Sequence, residues 1–69
     1  MKYLFIGNRF SVLEAMLQNN LSVAHILTPP DSYLVPELTE RDIPFTFVSS
    51  KKEAVAIIEA ASFDVLVSN

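Results

Sequence analysis

The chain has 69 residues, of which 51% are hydrophobic and 19% are charged, and its formal net charge is -3. This composition is typical of one globular domain with a thin core, because so short a chain buries only about 60% of its surface on folding. The basic residues are scattered, cysteine is absent, and no apolar run approaches the ~18 residues of a membrane span. We therefore expect a soluble cytoplasmic protein, and these features disfavour a nucleic-acid surface, a disulfide framework, a thiolate metal site and a membrane span.

The first part of the chain predicts a strand followed by a helix. Residues 2–6 are aromatic and β-branched enough for a strand, and Gly7 closes this run where the backbone must turn. Ser11 and Glu14 form an SxxE capping box, which predicts the start of a helix. The apolar face of that helix would be formed by Val12, Leu13, Met16 and Leu17. The pair Asn19-Asn20 predicts its end.

The middle of the chain predicts a second strand and a short helix. Residues 21–28 read as the strand, and Pro29-Pro30 prevents its continuation as a central strand. Asp31 and Ser32 are candidate N-caps for the helix. Ile43-Pro44 predicts its end, because a residue before proline is pushed to extended geometry.

The last part of the chain predicts a third strand, a helix and a fourth strand. Residues 45–48 form the third strand, and Ser50 and Glu53 form a second SxxE box. The buried face of the helix behind this box would comprise Ala54, Ile57, Ile58 and Ala61, with Val55 widening it. Residues 65–68 form the fourth strand.

The alternation of strands and helices predicts an α/β fold with parallel strands joined by helical crossovers. Right-handed crossovers favour a Rossmann-like, three-layer arrangement with strand order 3-2-1-4, in which the first two helices cover one face and the third covers the other. In that order the fourth strand lies at an edge that has no charge or proline to block pairing. We therefore expect an incomplete sheet, whose bare edge could pair with another chain or self-associate with a second copy.

Two loops of this sheet would face each other where the strand order reverses, which is where open α/β sheets bind ligands. Gly7, Asn8 and Arg9 follow the first strand, and Asn69 follows the fourth. Helix-start amides and the Arg9 guanidinium could receive an anion, although a plain turn with a solvated arginine explains the same residues. A dinucleotide fingerprint is absent, because the chain has one glycine and no GxGxxG pattern.

The carboxyl end of the second strand brings two further ligand candidates to the same edge. Thr28 and Asp31 lie there, and the competing interpretation is a rigid turn with Asp31 as an N-cap. His25, the one histidine, lies inside the strand without a partner to orient it, so we interpret it as a core or face residue. No nucleophile and base pair, carboxylate dyad or metal cluster emerges, so we assign no catalytic or metal-binding residue.

Five stretches of the chain are similar, in their order and spacing, to one family of enzymes. They are MKYLFIG, VLEAML, VAHILTPPD, ELTERDIPF and FDVLVSN. Together they resemble the N-terminal half of the folate-dependent formyltransferase domain, the family of methionyl-tRNA formyltransferase and the sugar N-formyltransferases. The resemblance covers the whole chain, and it implies that residues 1–69 are a fragment of a domain that moves a formyl group from 10-formyltetrahydrofolate to an amine.

The resemblance also implies where the chemistry lies. The family's catalytic asparagine, histidine and aspartate follow its fourth strand, so neither His25 nor Asn69 matches them and the fragment alone is expected to be inactive. Gly7 matches the family's glycine after the first strand. Asn69 falls in the segment that leads into the folate pocket.

Two departures from the tRNA enzymes narrow the implied acceptor. The loop between Gly7 and Val12 is shorter, and the basic insertion of those enzymes is missing after Asp31. Because that insertion supplies cationic surface for tRNA, its absence favours a small amine or a nucleotide-linked amino sugar. A different class of function also fits the residues: a non-catalytic Rossmann-like module in which Gly7, Asn8 and Arg9 hold a nucleotide or a sugar phosphate.

Overall fold

The computed structural model describes all 69 residues and shows strands and helices in strict alternation. The elements are β1 (Lys2–Ile6), α1 (Phe10–Gln18), β2 (Ser22–Thr28), α2 (Leu34–Glu40), β3 (Thr46–Phe47), α3 (Lys51–Ala60) and β4 (Val65–Ser68). The predicted order of elements is confirmed. The first and fourth strands have the predicted bounds, whereas the third is shortened to two residues.

The four strands form one parallel sheet in the order β3-β2-β1-β4. β1 is central and pairs with β2 on one side and with β4 on the other, so that Leu4 lies between His25 and Leu66. This is the Rossmann-like order that the sequence predicts, with its reversal between β1 and β4. The outer side of β4 has no partner strand, which makes the sheet an open one.

Two hydrophobic clusters lie on opposite faces of the sheet, because successive side chains of a strand point to opposite sides. Phe5 of β1 is fully buried against α1 and α2, and the neighbouring Leu4 is fully buried on the α3 side. The cluster on the first face comprises Phe5, Leu13, Met16, Ile26, Leu34 and Leu38. The cluster on the second comprises Leu4, Leu27, Val48 and Ala54. The predicted distribution of helices, two on one face and one on the other, is confirmed.

The end of α1 is set by a residue in the left-handed region. Asn20 has φ 59°, its amide donates to the carbonyl of Leu17, and the amide of Leu21 donates to the carbonyl of Met16 at 3.1 Å. This is the Schellman arrangement, which asparagine tolerates better than most residues. The predicted end at Asn19-Asn20 is confirmed.

The end of α2 uses the same geometry and lies earlier than predicted. Asp42 has φ 56°, and the amide of Ile43 donates to the carbonyl of Leu38 at 3.0 Å. The helix therefore stops at Glu40 because Asp42 reverses the backbone, before the restriction imposed by Pro44 takes effect. The prediction that Ile43-Pro44 ends this helix was therefore wrong.

The two SxxE sequences differ in the structure. Ser50 caps α3 by accepting the amide of Glu53 at 3.1 Å, while the Glu53 carboxylate accepts the amide of Ser49 at 3.0 Å. α1 instead begins at Phe10, with Arg9 at the N-cap position and no side-chain cap. Because Phe10 packs onto the core and starts the helix, Ser11 lies inside the first turn, so the first capping prediction was wrong.

The two residues predicted to cap the start of α2, Asp31 and Ser32, differ in the structure. Ser32 is buried, and its hydroxyl oxygen accepts the amide of Leu34 at 3.1 Å. Asp31 is exposed and makes no capping bond, so its prediction as an N-cap was wrong. The hydroxyl of Ser32 satisfies the helix start from inside the protein, which leaves the Asp31 carboxylate to solvent.

The two serines allow a matched test of capping. We expect Ser50→Ala to lower the free energy of unfolding by about 1 kcal/mol, because the hydroxyl that accepts the Glu53 amide at the helix start is lost. Ser11→Ala should change it by less than about 0.5 kcal/mol, because Ser11 caps nothing. Urea unfolding followed by circular dichroism measures both, and equal losses for the two variants would contradict the assignment.

Candidate functional site

A cleft of about 390 Å³ opens at the carboxyl edge of the sheet. Its walls come from the segments that follow β1, β2, β3 and β4 and from the first turn of α3. This is the place where strand order reverses, since β1 leads to α1 on one face and β4 arrives from α3 on the other. Ligand sites of open α/β sheets lie at this position.

The segments that follow β1 and β4 touch each other at the floor of the cleft. The amide of Asn8 donates to the carbonyl oxygen of Asn69 at 3.2 Å, and the amide of Asn69 donates to the carbonyl of Ile6 at 3.0 Å. A Cβ at Gly7 would overlap the carbonyl oxygen of Asn69 and lie 3.1 Å from its carbonyl carbon. Glycine is needed at position 7 because two backbones approach closely there.

The first turn of α3 forms the opposite wall, and it carries the one cationic side chain at the cleft. Lys51 lines the cleft beside Ser49 and Ser50, whereas Lys52 is not among the lining residues. None of the three lining residues was among the site candidates predicted from the sequence. The sequence feature that could have identified them is their position in the chain. A capping box that directly follows a parallel strand places the helix start at the carboxyl edge of the sheet.

The candidates named from the sequence fall into two groups. Gly7, Asn8 and Asn69 come together in the cleft, as the strand order predicts. Arg9 is exposed at the N-cap position of α1 and does not line the cleft, and Asp31 is exposed outside it. Any ligand contact of these residues stays a prediction.

Thr28 ends β2 at the carboxyl edge as predicted, but its side chain is fully buried and does not line the cleft. Its hydroxyl donates to the carbonyl oxygen of Gly7 at 2.7 Å and also contacts the hydroxyl of Ser32. The Thr28 side chain therefore contacts the cleft wall from the protein interior. Pro29 is the residue that lines the cleft at this point.

His25 lies opposite Leu4 in the body of β2, half-buried and away from the carboxyl edge. No group of three or more histidine, aspartate or glutamate side chains is placed to hold a metal ion. The polar side chains that line the cleft carry serine hydroxyls, asparagine amides and one lysine ammonium. Such groups can bind and orient an anionic or polar ligand by hydrogen bonding.

The fold and the cleft define an α/β protein of Rossmann-like architecture with a candidate ligand site at its topological switch point. None of its helices has the length and apolar character that crossing a membrane would require. Comparisons of the chain with protein-family models, with curated proteins and with solved structures gave no match.

Gly7 offers a direct test of the close approach. We expect Gly7→Ala to lower the free energy of unfolding by about 1–3 kcal/mol, because the added methyl group displaces the backbone of Asn69. The measurements are urea unfolding and the NMR shift of the Asn69 amide. Asn8→Ala is the matched control, because the exposed Asn8 side chain makes no hydrogen bond and its loss should cost less than about 0.5 kcal/mol. An unchanged Asn69 amide in Gly7→Ala would contradict the geometry.

Proposed function

We propose that residues 1–69 form the amino-terminal half of a folate-dependent formyltransferase domain and build one wall of its site for 10-formyltetrahydrofolate and an acceptor amine. The observation that supports this most directly is the contact of Gly7 and Asn8 with Asn69 in the cleft. Gly7 and Asn69 are the residues that the sequence resemblance relates to the site, and they lie against each other.

On this proposal the chain binds and orients ligand, and none of its residues carries out the transfer. The one side-chain hydrogen bond of the serines in the cleft is accepted by Ser50 from the amide of Glu53, so no serine is paired with a base there, and His25 lies in the body of β2. The resemblance places the catalytic asparagine, histidine and aspartate in a segment that follows the fourth strand. Residues 1–69 alone therefore bind weakly and have no transferase activity.

The acceptor on this proposal is a nucleotide-linked amino sugar or another small amine. Binding of tRNA needs several cations on one surface to displace counterions from phosphates. Lys51 is the one basic residue at the cleft. The Arg41 guanidinium forms an ion pair with the Glu37 carboxylate at 2.7 Å and lies over the ring of Phe10, 4.4 Å from the ring centroid.

A titration of residues 1–69 with 10-formyltetrahydrofolate, followed by amide NMR, tests the site. We expect shifts confined to the cleft, at Gly7, Asn8, Lys51 and Asn69, with the rest of the sheet unchanged. Shifts that are absent at millimolar ligand, or that are strongest outside the cleft, would contradict the proposal.

The adjacent lysines provide a matched control for this titration. Lys51→Gln should weaken binding of the anionic folate about two- to fivefold, which is the range for one exposed charge pair. Lys52→Gln removes the same charge beside the cleft and should leave the affinity unchanged. Equal effects of the two substitutions would indicate a general charge effect with no specific site.

A second candidate function is a non-catalytic module for a nucleotide or a sugar phosphate. The observation that favours it is the position of Lys51 and the start of the ten-residue α3 at the same cleft as the Gly7 and Asn8 backbone. Parallel titrations with uridine diphosphate and with 10-formyltetrahydrofolate separate the two functions, because a nucleotide module binds the first and not the second, whereas the formyltransferase proposal requires binding of the folate. The coding sequence that follows Asn69 provides a second criterion, since the formyltransferase proposal requires an asparagine closely followed by a histidine and then an aspartate.

A further inference from the structure

The peptide unit between Gly7 and Asn8 is held at both ends by hydrogen bonds. Its carbonyl oxygen, on Gly7, accepts the hydroxyl of Thr28 at 2.7 Å. Its N–H, on Asn8, donates to the carbonyl oxygen of Asn69 at 3.2 Å. Because a peptide unit is planar and rigid, the orientation of its carbonyl fixes the direction of its N–H. The bond to Thr28 on one side therefore sets the bond to β4 on the other.

The orientation of the Thr28 hydroxyl is in turn fixed by the hydroxyl of Ser32. Its single hydrogen goes to Gly7, so in the contact between the hydroxyls of Thr28 and Ser32 the donor must be Ser32. The oxygen of Ser32 in turn accepts the amide of Leu34 at 3.1 Å. One directed chain of hydrogen bonds thus runs from the start of α2, through two buried hydroxyls and one peptide unit, to the end of β4. Bonds in such a chain polarise and strengthen one another.

We propose that Thr28, oriented by Ser32, is a positioning residue for the cleft. It holds the Gly7–Asn8 peptide in the one orientation that joins the wall after β1 to the end of β4. Without this hydroxyl the carbonyl of Gly7 has no donor, and the peptide is free to rotate and to lose the bond to Asn69. The role is distinct from packing, because a methyl group of equal size fills the same volume and supplies no donor.

This inference deepens the proposed function and rests on it only in taking the cleft as the ligand site. The test uses solvent exchange of the Asn8 amide, which needs no ligand. A failed exchange test and a failed folate titration are therefore distinguishable outcomes.

The experiment measures exchange of the Asn8 amide by NMR, relative to the amide of the buried Phe5, in three variants. Thr28→Val keeps the size of the side chain and removes the hydroxyl, and it should raise the relative exchange rate about three- to tenfold, the equivalent of one lost hydrogen bond. Thr28→Ser retains the hydroxyl and should stay within about twofold of the unsubstituted protein. Ile26→Val, on the same strand, lowers overall stability without touching the chain of bonds, and it should not raise the ratio, because Ile26 pairs with Phe5 and its truncation speeds exchange of the reference amide.

The outcomes are decisive in both directions. A ratio that rises in Thr28→Val and is restored in Thr28→Ser supports the positioning role. A ratio that is unchanged in Thr28→Val, or equally raised in Ile26→Val, overturns it. Should Thr28→Val fail to fold, Ser32→Ala replaces it, because it leaves the bond from Thr28 to Gly7 but removes its support. A ratio raised about twofold or more in Ser32→Ala supports the role, and an unchanged ratio overturns it.

Discussion

The structure depends on the burial of β1 from all sides. This strand pairs with β2 and β4, and its successive residues Leu4 and Phe5 are completely buried on opposite faces. A central parallel strand needs cover on both faces, which the crossover helices provide. In so short a chain the two clusters that result are small, and α3 covers its face only in part, since Leu66 is 46% exposed. Val55 is 43% exposed, so the prediction that it widens the buried face of α3 was wrong. The fold therefore concentrates its apolar burial around one strand.

The same central position explains why the candidate site lies where it does. The chain leaves β1 toward one face and returns to its other side through β4, and the cleft opens at the carboxyl edge where these connections diverge to opposite faces. Close contact at the floor of that cleft is possible because position 7 has no side chain. Most of the lining residues directly follow the carboxyl ends of the four strands, so their positions follow from the sheet itself. The geometry of the cleft is thus a direct product of strand order.

Much of the fold could be predicted from the sequence because its signals are local or topological. Alternating apolar periods gave the order of elements, and the handedness of crossovers then left strand order 3-2-1-4 as the favoured arrangement. The errors arose where two local signals competed. Ser11 and Glu14 have the capping pattern, but the packing of Phe10 starts α1 earlier, and the left-handed backbone of Asp42 ends α2 before Pro44. A capping pattern in a sequence does not reveal at which residue tertiary packing will make the helix begin or end.

The site was predictable in its location and only partly in its residues. Strand order brings Gly7, Asn8 and Asn69 together, because each follows directly from the carboxyl end of an adjacent strand. Thr28 also ends a strand, yet its side chain turns inward to Gly7, a direction that strand order alone does not define. Lys51 follows a capping box that comes directly after a strand, which places it near the carboxyl edge, but whether its side chain lines the cleft also depends on how α3 packs.

The two edges of the sheet differ in a way that bears on the size of the folded unit. β3 is two residues long and follows Pro44 closely, whereas β4 has four residues with neither proline nor charge. Proline and shortness hinder the addition of a strand, and an uncharged edge permits it. The outer side of β4 is therefore the edge that offers less hindrance to an added strand. Each strand added there would move the cleft away from the margin of the molecule and toward its middle, and an open groove would become an enclosed pocket.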